Sequence, residues 1–130
     1  MSAASDYLED KVLDHVLTNT PYTSPTTVYI GLWTADDGLE GGTITSEVSG
    51  GSYARQSVTF SASSDGQTSN SATVTFPTAT ANWGTITHVA VMDASTGGNV
   101  LFHGGVTTSK TIESGDTFQI SSGNLDITLA

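Results

Sequence analysis

The chain contains no cysteine, so no disulfide can staple the fold, and thiol catalysis and zinc–thiolate sites are excluded. Cations are scarce as well: 3 Lys and Arg stand against 13 Asp and Glu, a formal net charge of -10 in 130 residues. A field of that sign repels a phosphate backbone instead of releasing its counterions, which argues against a nucleic-acid partner. Long apolar runs are also missing. The longest strongly apolar stretch, Val89 to Met92, falls far short of the roughly 20 residues a membrane-spanning helix needs. The opening Met-Ser-Ala-Ala-Ser-Asp has neither the basic nor the apolar region of a leader. The expectation is a protein made in a cytoplasm and not inserted in a membrane.

Against 12% charged residues stand 36% hydrophobic ones. Disordered chains show the opposite balance, and the abundant Thr, Ser and Gly point to a folded chain of β character. The length suits a single domain over 1–130 with one hydrophobic core.

Two periodicities divide the chain. Leu8, Val12, Leu13, Val16 and Leu17 recur at helical spacing and predict one amphipathic helix over 6–18. Asp6 is expected as its N-cap with Glu9 three residues on, and Asn19, Thr20 and Pro21 supply the stop. From residue 27 onward the period is two. Val28, Ile30 and Leu32 alternate with Tyr29, Gly31 and Trp33, and further strands are predicted at Tyr53 to Phe60, Ala72 to Phe76, Ile86 to Asp93, Val100 to Gly104, Lys110 to Ile112, Thr117 to Ile120 and Leu125 to Leu129. About eight short strands separated by turn residues predict an antiparallel β-sandwich, immunoglobulin-like or jelly-roll-like, over 27–130. Two hairpins stand out, Val89 to Phe102 with a Gly97-Gly98 tip and Phe118 to Ile127 turning at Gly123-Asn124. The polar stretch from Ala35 to Ser52 reads as a long loop, with a short strand around Ile44 and its remainder toward solvent or a neighbour.

Candidate chemistry is thin. His88 and His103 are expected roughly opposite one another on neighbouring strands, but a zinc site needs a third ligand, and Asp93 lies at the far end of the strand. The acidic loop Asp36-Asp37-Gly38-Leu39-Glu40 lacks the alternating spacing of a calcium loop and reads as solvated. No G-x-S-x-G elbow occurs, and Gly50-Gly51-Ser52-Tyr53 lacks its second glycine. Most carboxylates fall in turns or on the helix, where they cap and solubilise. No catalytic residue, metal or cofactor is expected, and the chain is not expected to be an enzyme.

Two sets of residues remain as candidates for contact. The helical stripe Leu8, Val12, Leu13, Val16 and Leu17 must be covered by the chain's own sandwich or by a neighbouring subunit. Trp83 and Tyr53 are candidates for stacking on a glycan or a partner, with core packing as the alternative.

The string from Asp6-Tyr7-Leu8-Glu9-Asp10-Lys11-Val12-Leu13-Asp14-His15-Val16-Leu17 to Asn19-Thr20-Pro21-Tyr22-Thr23 resembles the start of a family of small phage virion proteins described as tail-fibre-like. The resemblance continues through Val28-Tyr29-Ile30-Gly31-Leu32-Trp33-Thr34, Ser49-Gly50-Gly51-Ser52-Tyr53-Ala54-Arg55-Gln56 and Phe76-Pro77-Thr78-Ala79-Thr80-Ala81-Asn82-Trp83-Gly84. It reaches Leu125-Asp126-Ile127-Thr128-Leu129 and covers nearly the whole chain. It implies a non-enzymatic structural protein of the bacteriophage virion, present as a homo-oligomer or in multiple copies and bound to capsid, collar or tail proteins. That means a capsid decoration protein or a collar- or tail-attached fibre-like subunit. The alternative is a carbohydrate-binding module of the tail that recognises a host surface glycan.

Overall fold

The computed structural model describes residues 3–129, so residues 1, 2 and 130 of the expected domain lie outside it. In chain order the elements are β1 (Ala3–Ala4), α1 (Asp6–Leu17), β2 (Val28–Trp33), β3 (Gln56–Val58), β4 (Gln67–Ser69), β5 (Val74–Thr75), β6 (Gly84–Met92), β7 (Val100–Ile112), β8 (Gln119–Ile120) and β9 (Asp126–Thr128). The architecture is the expected one: mainly β, antiparallel throughout, sandwich-like, with one N-terminal helix.

One layer is a five-stranded sheet in the order β1-β7-β6-β2-β3. Facing it are two short ladders, β4 with β9 and β5 with β8. The core fills the space between. Ile30, Leu32, Val89, Val91 and Leu101 from the large sheet meet Val74, Phe76, Phe118, Leu125 and Ile127 from the ladders, and Phe76 and Phe118 meet edge to face at 5.7 Å. These are the alternate positions that period-two patterning turns to one side of a sheet.

The β6–β7 hairpin forms as expected but runs further. The two strands expected at 100–104 and 110–112 are one strand, because pairing with β6 resumes after an irregularity. Gly105 pairs with His88 and Lys110 with Ile86, so residues 106–109 oppose Thr87 alone. Gly104, Gly105 and the polar run after them break the apolar pattern without ending the strand, as a bulge does. His88 and His103 are offset by two residues in the regular part of the ladder: His103 pairs with Ala90, and His88 with Gly105.

The expected Phe118–Ile127 hairpin does not form. Its two arms pair elsewhere, β8 with β5 and β9 with β4. The organiser is Asn70, buried to 1% exposure. Its Nδ2 donates to the carbonyls of Ala72 at 2.9 Å and Ser121 at 3.1 Å, and its Oδ1 accepts from the Leu125 amide at 2.9 Å. The side chain thus satisfies backbone groups that a hairpin ladder would have paired. Strand β4, built from Gln67, Thr68 and Ser69, carried no apolar alternation and was invisible to pattern reading.

The loop over residues 35–52 departs most from expectation. Instead of pointing to solvent it folds across the outer face of the large sheet, where Leu39 and half-buried Ile44 cover Trp33, Ala90, Met92 and Val100. The Asp36 carboxylate accepts the Leu39 and Gly38 amides, both at 3.0 Å, and these bonds lower its proton affinity from the usual carboxylate value. The strand expected around Ile44 is displaced to Glu47, which bridges Trp33.

Arg55 ties this loop to the body. Its guanidinium grips Glu47 through two bonds of 2.7 and 2.8 Å and donates to the carbonyls of Ala94 and Gly97, each at 2.8 Å. Glu47 also accepts from the Tyr53 hydroxyl at 2.7 Å, and that hydroxyl accepts the Leu32 amide at 3.0 Å. The group passes over Gly31, where a Cβ would lie 2.8 Å from the Trp33 ring and 2.9 Å from the Tyr53 hydroxyl. Only glycine leaves room there.

Candidate attachment site on the N-terminal helix

Helix α1 starts at Asp6, as the sequence suggests, but its cap differs. Ser5, not Asp6, is the N-cap: its hydroxyl accepts the Leu8 amide at 3.2 Å and donates to the Val100 carbonyl. The cap therefore also docks the helix start on β7, beside the pairing of Ala4 with Phe102. At the other end Asn19 takes a left-handed backbone with φ 55°, and the Thr18 and Thr20 amides both close on the Asp14 carbonyl. The segment that follows folds back along the helix, where His15 Nδ1 accepts the Tyr22 amide at 3.1 Å and the Tyr7 and Tyr22 rings meet edge to face.

The apolar stripe expected as one contact face is split in two. Leu8 is buried and Val12 packs half-buried on the core, so these two close the chain's own fold. Leu13, Val16 and Leu17 point outward at 54%, 68% and 73% exposure. Leu129 is the only other large hydrophobic residue comparably exposed among the described residues. Three of the four thus share the last two turns of one helix.

The same outward face is acidic in its first turns. At 100° per residue, Asp6, Glu9 and Asp10 lie in line with Leu13 and Leu17. Carboxylate oxygens of Asp6, Glu9 and, from the neighbouring loop, Glu40 come within 4.8 Å of one another. His103 Nε2 bonds Glu40 at 2.8 Å and holds its carboxyl below the usual range. Asp6 is pushed the other way, chiefly by its hydrogen bond with Glu40 and then by desolvation and like charge. This grouping escaped sequence reasoning because Glu40 reaches the helix only through the fold of a loop whose carboxylates read as solvated.

The aromatic candidates occupy different ground. Trp83 is only 5% exposed, and its indole N–H donates to the Gly51 carbonyl at 2.9 Å. Tyr53 stacks on Phe76 and meets Trp83 edge-on at 5.5 Å, while its hydroxyl is engaged by Glu47 and Leu32. Burial, then the bond to Glu47, pushes that hydroxyl far above the ordinary phenol range. Trp83 is thus a core residue, and Tyr53, partly buried, packs against the core through Phe76 and Trp83.

A half-open cleft of about 190 Å³ lies between β7 and the C-terminal ladders, lined mainly by apolar side chains such as Ile30, Phe102, Val106 and Ile120. Its titratable lining groups are His103, already bonded to Glu40, and Asp126. His88 bonds Thr87 and is not joined to His103.

Compared with known proteins, residues 3–128 match the family described as Podophage GP4 fiber I protein gp80. No curated protein matches the sequence.

Proposed function

This chain belongs to the family of the podophage GP4 fiber I protein gp80, and on that premise we propose that it is a non-enzymatic, one-domain subunit fixed in repeated copies to the collar or tail of the virion by the outward face of α1. A phage fibre structural protein works by attachment and resists the environment outside the cell. The fold supports that role, because both faces of the large sheet carry buried apolar residues and the buried polar side chains Arg55 and Asn70 lock loops in place.

The observation that carries the proposal is the exposure of Leu13, Val16 and Leu17 on one helix face while the remaining apolar positions are largely withdrawn. Each such side chain gains roughly 1.5–3 kcal/mol when covered, and apolar residues grouped on a surface mark a site of association. The helix is braced from behind by Leu8, Val12 and the Ser5 cap, so its outward face needs no rearrangement to bind. Host-glycan recognition through Trp83 and Tyr53 lacks comparable support, since Trp83 is 5% exposed and the Tyr53 ring is stacked on Phe76.

The test is to complement a phage lacking this gene with a chain carrying Leu13→Asp, Val16→Asp and Leu17→Asp. The variant is expected to fold, because none of the three positions is buried, yet to be missing from purified particles. Full incorporation of the folded variant would refute the anchoring role. Cryo-electron microscopy of the wild-type particle supplies the location: density at collar or tail is expected, and density over the capsid lattice would overturn that assignment.

A further inference from the structure

We infer that the outward face of α1 docks on an element of a different virion protein that presents a Lys or Arg side chain flanked by aliphatic ones, the cation entering between Asp6, Glu9 and Glu40 while the aliphatic groups cover Leu13, Val16 and Leu17. The inference rests on the anchoring role proposed above and specifies the partner's chemistry.

The face has two halves in line along one helix. Its apolar half selects nothing by itself. Its acidic half does, because three carboxylates held within 4.8 Å of one another present a negative patch that a partner's cation would complement. His103 bonds Glu40 directly and also acts on Asp6 through its charge, and the described ion pairs include neither Asp6 nor Glu9. The raised proton affinity of Asp6 beside Glu40 is the local sign of that crowding. An arriving guanidinium or ammonium would relieve it, and partial desolvation by the adjoining apolar contact would strengthen the pairing.

A second copy of this chain is the poorer occupant. The sequence holds 3 Lys and Arg residues, Lys11, Arg55 and Lys110. Arg55 is buried in its pair with Glu47, and Lys11 lies over the Tyr7 ring of its own helix at 5.6 Å. Lys110 is flanked by Ser109 and Thr111, which offer nothing aliphatic to cover Leu13 or Val16. Two chains each carrying a formal -10 also repel on approach.

The deciding experiment uses particles complemented with Glu9→Lys or Glu9→Gln, the apolar residues left intact, with copies per particle counted by quantitative mass spectrometry. Glu9 is exposed, so circular dichroism should show both variants folded. Occupancy is expected to fall about tenfold for Glu9→Lys, the change that corresponds to about 1.4 kcal/mol, and less for Glu9→Gln. Wild-type particles should shed the protein as NaCl rises, because screening shortens the reach of such a pair. Unchanged occupancy of Glu9→Lys, with the Leu13, Val16 and Leu17 variant still excluded, would overturn the inference and leave the anchoring role standing. A cryo-electron microscopy map with a second copy of this chain seated on the stripe would also overturn it.

Discussion

Replacing Arg55 with Ala tests the internal architecture most directly. The guanidinium side chain is 2% exposed and its Glu47 partner 17%. Four donated bonds are lost together, two to Glu47 and one each to the carbonyls of Ala94 and Gly97. What remains is a carboxylate held near Trp33 and Tyr53 without its cation, and two carbonyls at the β6–β7 tip without their donor. Removing one partner of a buried pair costs roughly 3–5 kcal/mol. With an unfolding entropy near 2.1 cal/mol/K per residue, 130 residues give about 270 cal/mol/K, so the melting temperature should fall by about 11–18 °C. Thermal and urea unfolding followed by circular dichroism measure both quantities, and hydrogen exchange at residues 94–99 should quicken. The double variant Arg55→Met with Glu47→Leu should lose less than Arg55→Met alone, because no charge is then stranded. A loss under about 1 kcal/mol for Arg55→Ala would refute the reasoning, since it would mean the pair behaves as an exposed one.

Trp83→Ala should cost about 3–5 kcal/mol through the lost contacts with Tyr53 and the lost hydrogen bond to the Gly51 carbonyl; equilibrium urea unfolding checks this, and a near-neutral result would place the ring outside the core. The Tyr53 hydroxyl has a raised folded-state proton affinity, so it contributes stability that is fully present below the unfolded tyrosine value of about 10 and is lost as pH rises above it. In an alkaline titration at 295 nm, one of the four tyrosines should ionise only with unfolding. Free titration of all four in the folded state would contradict the burial.

How much was legible in advance follows from where each signal resides. The helix, β2 and the β6–β7 hairpin were readable because their patterns are local: apolar residues three and four apart must share one helix face, and alternate residues one sheet face. The resemblance over nearly the whole chain likewise points to a phage fibre family from sequence alone. The charge balance was a property of composition alone. Tertiary structure decided everything that depends on which distant groups meet. It divided one helical stripe into a buried pair and an exposed trio, because the sheet covers only part of the helix. It sent β8 and β9 to separate partners through the side chain of Asn70, and it drew the polar loop over the outer face through Leu39 and the Arg55–Glu47 pair. It also brought Glu40 to Asp6 and Glu9. Periodicity reports which way a side chain faces within its own element, whereas burial and charge pairing are set by surfaces that sequence spacing does not encode.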